Sequence, residues 1–276
     1  MKLSLSVTAI VGALALLVMA APAGAITYGE PDGTDHPNVG ALIVDFEEEP
    51  GEEDEGPQHI CSGTLIDEDV FLTAAHCVSF LTSEDEVFVS FAVDVDPIPG
   101  GLLPGTAIMH PDFGHDQANP FDIAVVDLDS PVGLETADLP EVGLLDDMRA
   151  AGTLRGSRYT AVGYGVHEPE VGGGPPSDPQ EGNAPVFPYD GERWRSVSSF
   201  RALNEAWLRL SQNNATGDAG TCFGDSGGPN FLGAGAGETD TIASITITGD
   251  AMCLATNETF RLDTQASADF LEPFLD

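Results

Sequence analysis

Short apolar runs separated by Gly, Pro and Asp recur along the chain, at residues 39–46, 60–66, 70–74, 87–93, 123–128, 160–166 and 242–248. Most are of strand length and many are β-branched, the composition that packs on a pleated, half-buried surface. Helical periodicity is weak except at residues 267–275. Many short strands with turn punctuation predict an all-β sandwich or barrel, not a βαβ fold. No internal repeat is visible.

Two segments break the pattern and read as solvated loops. Residues 47–56 (EEEPGEEDEG) are nearly all acidic, and residues 168–188 are rich in Gly and Pro. A cation site in the first and cleft shaping in the second are the functional alternatives. The N-terminus breaks it differently. Met1 and Lys2 precede an apolar run to Met19, and Ala23-Gly24-Ala25 has the small residues of a cleavage signal. The run is short for a membrane span, so residues 1–25 read as a signal peptide and the mature chain as 26–276, secreted and free of the membrane.

Composition narrows the partners. Removing residues 1–25 takes the only lysine and leaves eight arginines against 46 acidic residues, a formal charge of −38. That surface repels nucleic acid and anionic membrane, and a monomer is expected. Self-repulsion at this density favours a protein screened by high salt. Four cysteines, Cys61, Cys77, Cys222 and Cys253, read as disulfides in an oxidising compartment, with three pairings open. No CxxC or HExxH occurs, so neither a metal nor a cofactor is expected.

Candidate chemistry centres on Gly224-Asp225-Ser226-Gly227-Gly228-Pro229. Flanking glycines let the backbone turn sharply and aim N–H groups at a reacting carbonyl, and a serine there becomes a nucleophile when a base lies within reach. The same residues satisfy the G-x-S-x-G elbow of esterases, in which the histidine follows the serine. Here His36, His59, His76, His110, His115 and His167 all precede Ser226, so the order His, Asp, Ser is the one easily satisfied. His76 stands after an apolar strand, in Leu72-Thr73-Ala74-Ala75-His76-Cys77. Asp122 stands at the mouth of the apolar run 123–128, where a carboxylate needs a donor such as a histidine N–H.

With these residues in view, the chain resembles the chymotrypsin/trypsin family of serine proteases. Its TAAHC, DIA and GDSGGP segments appear in order at Thr73 to Cys77, Asp122 to Ala124 and Gly224 to Pro229. Cys61-Ser62-Gly63-Thr64-Leu65-Ile66, His110-Pro111 and Val162-Gly163-Tyr164-Gly165 extend the likeness over most of 26–276. The resemblance implies two six-stranded antiparallel β-barrels with a short C-terminal helix, divided near residues 135 and 136. It implies catalysis of peptide hydrolysis by His76, Asp122 and Ser226, with an oxyanion hole from the N–H groups of Gly224 and Ser226. It selects Cys61–Cys77 and Cys222–Cys253 as the disulfides. It also gives Ile26 a role, because Ile26-Thr27-Tyr28-Gly29 resembles the family's IVGG start, whose amine pairs with the Asp before the nucleophile, here Asp225.

Specificity departs from the trypsin pattern. The Asp that binds Arg or Lys six residues before the nucleophile is Gly220 here, so Gly220 and Thr221 predict a neutral floor. Thr248, Gly249 and Asp250 are expected on the far wall, where Asp250 or Glu258 is the alternative source of an acidic pocket. The other functional class is a catalytically inert binding protein of the same fold, but such relatives usually lack a triad residue and this chain has all three. If the charge is a salt adaptation, melting temperature is expected to rise from dilute buffer to molar salt. A maximum in dilute buffer would remove that reading.

Overall fold

The computed structural model describes residues 26–47, 55–116, 118–169 and 185–275. The signal peptide expected at 1–25 and most of the two expected loops lie outside them.

Six strands close the first barrel: β2 (Val39–Asp45), β3 (Gln58–Asp67), β4 (Val70–Thr73), β5 (Glu86–Ser90), β6 (Leu103–Met109) and β7 (Ala124–Leu128). They run in the order β2-β3-β4-β7-β6-β5, and β2 pairs with β5 to complete the ring. The second barrel uses β8 (Arg158–Gly163), β9 (Trp194–Leu203), β10 (Trp207–Ser211), β11 (Pro229–Leu232), β12 (Ile242–Gly249) and β13 (Thr256–Arg261). It closes through β8 and β9, and the two-residue β1 (Glu30–Pro31) adds to the edge of β9. Ring closure leaves few strand edges exposed, and every pairing within the barrels is antiparallel. The architecture is the predicted all-β double barrel.

Continuous burial explains the strands that were legible: β2 and β4 are almost wholly buried apolar runs, and Phe71, Leu72, Val125 and Val126 have no exposed surface. Others were not legible. β6 contains Pro104 and Gly105, and the middle of β9 reads Arg-Ser-Val-Ser-Ser. β13 reads TNETFR, yet Asn257 and Thr259 are fully buried. Their polar atoms find partners inside: the Thr259 hydroxyl donates to Leu208 O at 2.7 Å, and Asn257 Nδ2 donates to Asn230 Oδ1 at 3.1 Å. Such pairing makes polar strands buriable.

Two α-helices lie among the described residues. The C-terminal one, α2 (Gln265–Leu271), continues into a 3₁₀ turn to Phe274 and matches the periodicity at the end of the sequence. The other, α1 (Leu144–Ala151), was not expected. It is two turns long, buries only Leu145, and has no local side-chain cap. Its first turn is instead satisfied by Asp263, whose carboxylate accepts from Leu145 N at 2.8 Å across 118 residues of sequence.

A buried ionic network ties the barrels together. Arg193, 1 % exposed, donates Nε to Asp32 at 2.9 Å, Nη1 to Val39 O at 2.9 Å and to Tyr164 Oη at 3.2 Å, and Nη2 to Gly33 O at 2.8 Å. His36 stacks on Phe231 and lies between Asp32 Oδ1 at 2.5 Å and Glu238 Oε1 at 2.6 Å. Burial alone would lower the His36 pKa, but the two carboxylates outweigh it and raise the value to about 9. Because this lies above the 6.5 of a free histidine, the contribution is complete below pH 6.5 and is lost as pH rises through about 9. Melting temperature is therefore expected to fall across that window, and His36→Gln to flatten the fall. A parallel fall in both proteins would place the pH sensitivity elsewhere.

Candidate active site

His76 occupies a 3₁₀ turn, Ala75–Cys77, immediately after β4. The Cys61–Cys77 disulfide ties this turn to β3, closing a loop of a size that stabilises by roughly 3 kcal/mol. Asp122 approaches from the start of β7 and is 6 % exposed. Its two oxygens do separate work: Oδ1 accepts from His76 N at 2.8 Å, and Oδ2 accepts from His76 Nδ1 at 2.8 Å. A carboxylate on Nδ1 selects the tautomer that leaves the Nε2 lone pair free to take a proton. One carboxylate thus holds both the backbone and the ring of His76.

Ser226 faces the same cavity as His76. That cavity, about 250 Å³, is bounded by Thr221, Thr246, Thr248, Gly249 and the Cys222–Cys253 disulfide, among others. Gly224, at φ 96°, adopts a backbone open chiefly to glycine. Neither the Gly224 N–H nor the Ser226 N–H has an acceptor among the described residues. Two free donors flank the serine.

Asp225 anchors this loop from below. It has no exposed surface, and its carboxylate accepts from Gly165 N and Cys222 N, each at 2.8 Å. Burial raises its pKa to about 7 despite those bonds. No cation pairs with it among the described residues. A Cβ on Gly163 or Gly165 would lie 2.3 Å or 2.5 Å from its oxygens, which is why small residues flank Tyr164.

Of the residues expected at the N-terminus, Ile26 is fully buried and packs in a cluster with Trp194. Thr27 bridges to Gly220, accepting Gly220 N at 3.1 Å and donating its hydroxyl to Gly220 O at 3.3 Å. Gly220 itself does not line the cavity. Thr221, Thr248, Gly249 and Asp250 do.

Asp250 and Glu258, the two carboxylates expected as sources of an acidic pocket, both have partners within the fold. Asp250 Oδ1 accepts from Met252 N and Leu254 N, and Oδ2 accepts from Ala255 N and Thr256 N, all within 3.2 Å. These bonds outweigh burial and lower its pKa, so the charge organises its own loop. Glu258 pairs with Arg209 at 2.7 Å on the sheet. Cys61, His76 and Cys77 also cluster within metal-ligating distance, but both sulfurs are in the disulfide and offer no thiolate.

Ser62 belongs to the motif at Cys61, but the sequence carried no sign of its role. Its N–H donates to Ser226 O at 2.8 Å, and its hydroxyl donates to Gly224 O at 2.9 Å while accepting Tyr164 N at 3.0 Å. One residue of the first barrel thus clamps the peptide units before and after the one that carries the Ser226 N–H.

A closed double barrel with a His–Asp pair and a serine flanked by free N–H groups is the architecture of chymotrypsin-like proteins. The trypsin family model matches residues 45–265, and the chain belongs to that family. It is 30% identical to brachyurin of Leptuca pugilator over 71% of this chain and 77% of that protein. It is 28% identical to ovochymase of Halocynthia roretzi over 62% of this chain, which spans only 10% of that relative. Chymotrypsin-C of Bos taurus is 29% identical over 62% of this chain and 61% of that protein. Among solved structures, one described as HL collagenase superposes with a TM-score of 0.62, covering 90% of this chain and 98% of its own, at 17% identity.

Removing the Ser62 hydroxyl frees Gly224 O to rotate. Ser62→Ala is expected to slow fluorophosphonate labelling of Ser226 about ten-fold, since the phosphonyl oxygen needs aligned donors. An unchanged labelling rate in a folded variant would show that the clamp is idle.

Proposed function

We propose that the chain is a secreted serine endopeptidase that hydrolyses protein or peptide substrates through an acyl-enzyme on Ser226. The observation that carries this is the His76 Nδ1–Asp122 Oδ2 bond at 2.8 Å, with His76 and Ser226 lining one cavity. In this reading Ser226 Oγ attacks the scissile carbonyl carbon and His76 Nε2 takes the hydroxyl proton. The carbonyl oxygen becomes an oxyanion held by the Gly224 and Ser226 N–H groups. His76 passes the proton to the leaving amine as the C–N bond breaks. Water repeats the sequence to release the acid. Asp122 keeps the imidazole oriented and stabilises its protonated form.

The Ile26 amine is proposed to complete the site after cleavage of residues 1–25. A buried Asp225 with a pKa near 7 and, among the described residues, no cation beside it is favoured in charged form by an arriving ammonium group. Ile26 also holds φ at 63°, an outlier for a β-branched residue, and cutting the peptide bond before it removes that torsion.

The residue before the scissile bond, P1, is proposed to be uncharged, because Gly220 supplies no carboxylate and those of Asp250 and Glu258 are engaged. Ser226→Ala is expected to cut peptide hydrolysis by about five orders of magnitude or more while the protein stays folded. A fluorophosphonate should label Ser226 in the wild type, in protein whose N-terminal residue is Ile26. An added residue ahead of Ile26 is expected to abolish labelling; full labelling with that extension would remove the amine from the mechanism.

A further inference from the structure

Gly220 has no side chain, and the place one would occupy is already filled. A Cβ there would lie 2.1 Å from Gln212 Oε1 and 2.3 Å from Gln212 Cγ. The Gly220 backbone cannot yield, because both its N–H and its carbonyl are bonded to Thr27. Gln212 follows β10 and is 1 % exposed, with its own N–H on Ala255 O at 3.0 Å. Its side chain therefore fills the space beside Gly220 from the end of a different strand.

The orientation of its amide is forced. Thr221 N is a donor and lies 2.5 Å from the amide atom that faces it, so that atom must be the oxygen. The Thr221 hydroxyl donates to the same oxygen at 3.2 Å. Nε2 is consequently the far atom, buried and without an acceptor among the described residues. A buried N–H left unpaired is costly, of order 1–3 kcal/mol, so this end of the side chain adds nothing to the fold. Thr221 itself lines the cavity beside Ser226.

We propose that Gln212 is the residue that sets P1 specificity: it plugs the floor in place of a side chain at position 220 and presents a donor where a cationic P1 side chain would need an acceptor. The substrate class is therefore peptides with an uncharged P1 side chain short enough to stop above Thr221. This rests on the endopeptidase reading of the same site.

Two substitutions separate volume from charge. Gln212→Ala removes the plug, and Gln212→Glu keeps its shape, leaving one oxygen for Thr221 N–H and putting the other where Nε2 lies. Each protein is first titrated with a fluorophosphonate and then assayed on peptides varying only at P1. Gln212→Ala is expected to raise kcat/KM for Phe relative to Ala at least ten-fold. Gln212→Glu is expected to raise kcat/KM for Lys relative to Leu at least ten-fold. A merely structural role would lower all substrates together and shift melting temperature without reordering them. An unchanged P1 ranking in the titrated variants overturns the proposal, and so does a wild-type preference for Lys or Arg, which needs no variant to measure. Absence of labelling in the wild type overturns the endopeptidase reading instead.

Discussion

The carboxylate of Asp225 lies one residue from Ser226 and has no exposed surface, and much of the second barrel is arranged around it. Its two oxygens draw in the N–H groups of Gly165 and Cys222, which bends the chain into the loop that carries the serine. Close approach follows. Gly163 and Gly165 have no room for a Cβ beside that carboxylate, and Gly227 has none beside Thr73 and Ser62 of the first barrel. The loop is therefore shaped from both barrels at once. Ser62 is the first barrel's share of that grip, and Tyr164, whose N–H it accepts, is the second's.

Buried polarity elsewhere follows the same logic. A chain with so few cations keeps two of them inside: Arg193 and Arg261 are 1 % and 3 % exposed. Arg193 meets Asp32 and several carbonyls at the seam between the barrels. Arg261 holds Asp263 and Asp146 at 2.8 Å, locking β13 to α1. Deleting either cation would strand a buried carboxylate, which costs more than the pair gains. On a surface dominated by like charge, these interior pairs also draw acidic groups into fixed positions.

The carboxylates around the cavity beside Ser226 already have partners in the fold. Asp250 lies on its wall but turns both oxygens into its own loop, and Glu258 answers Arg209 across the sheet. Counting acidic residues near the serine does not say how many of them are free of partners. What decides it is which backbone N–H groups reach each carboxylate first.

Local signals in the sequence determined the apolar strands such as β2, β4 and β7, the C-terminal helix, and the order of His76, Asp122 and Ser226, because alternation, turn residues and motif spacing are properties of neighbouring positions. The polar strands β9 and β13 were invisible at that level, since Thr259 and Asn257 become buriable only when another strand supplies their partners. Helix α1 was hidden for the same reason, its cap arriving from Asp263. At the site, the sequence marked Gly220 as a missing side chain, and the tertiary structure alone decided that Gln212 fills the gap. It likewise gave Ser62 its hold on Gly224, 162 residues away, and buried Asp225 with no cation against it among the described residues. Those outcomes depend on which groups close packing excludes from water, and no stretch of sequence contains that information by itself.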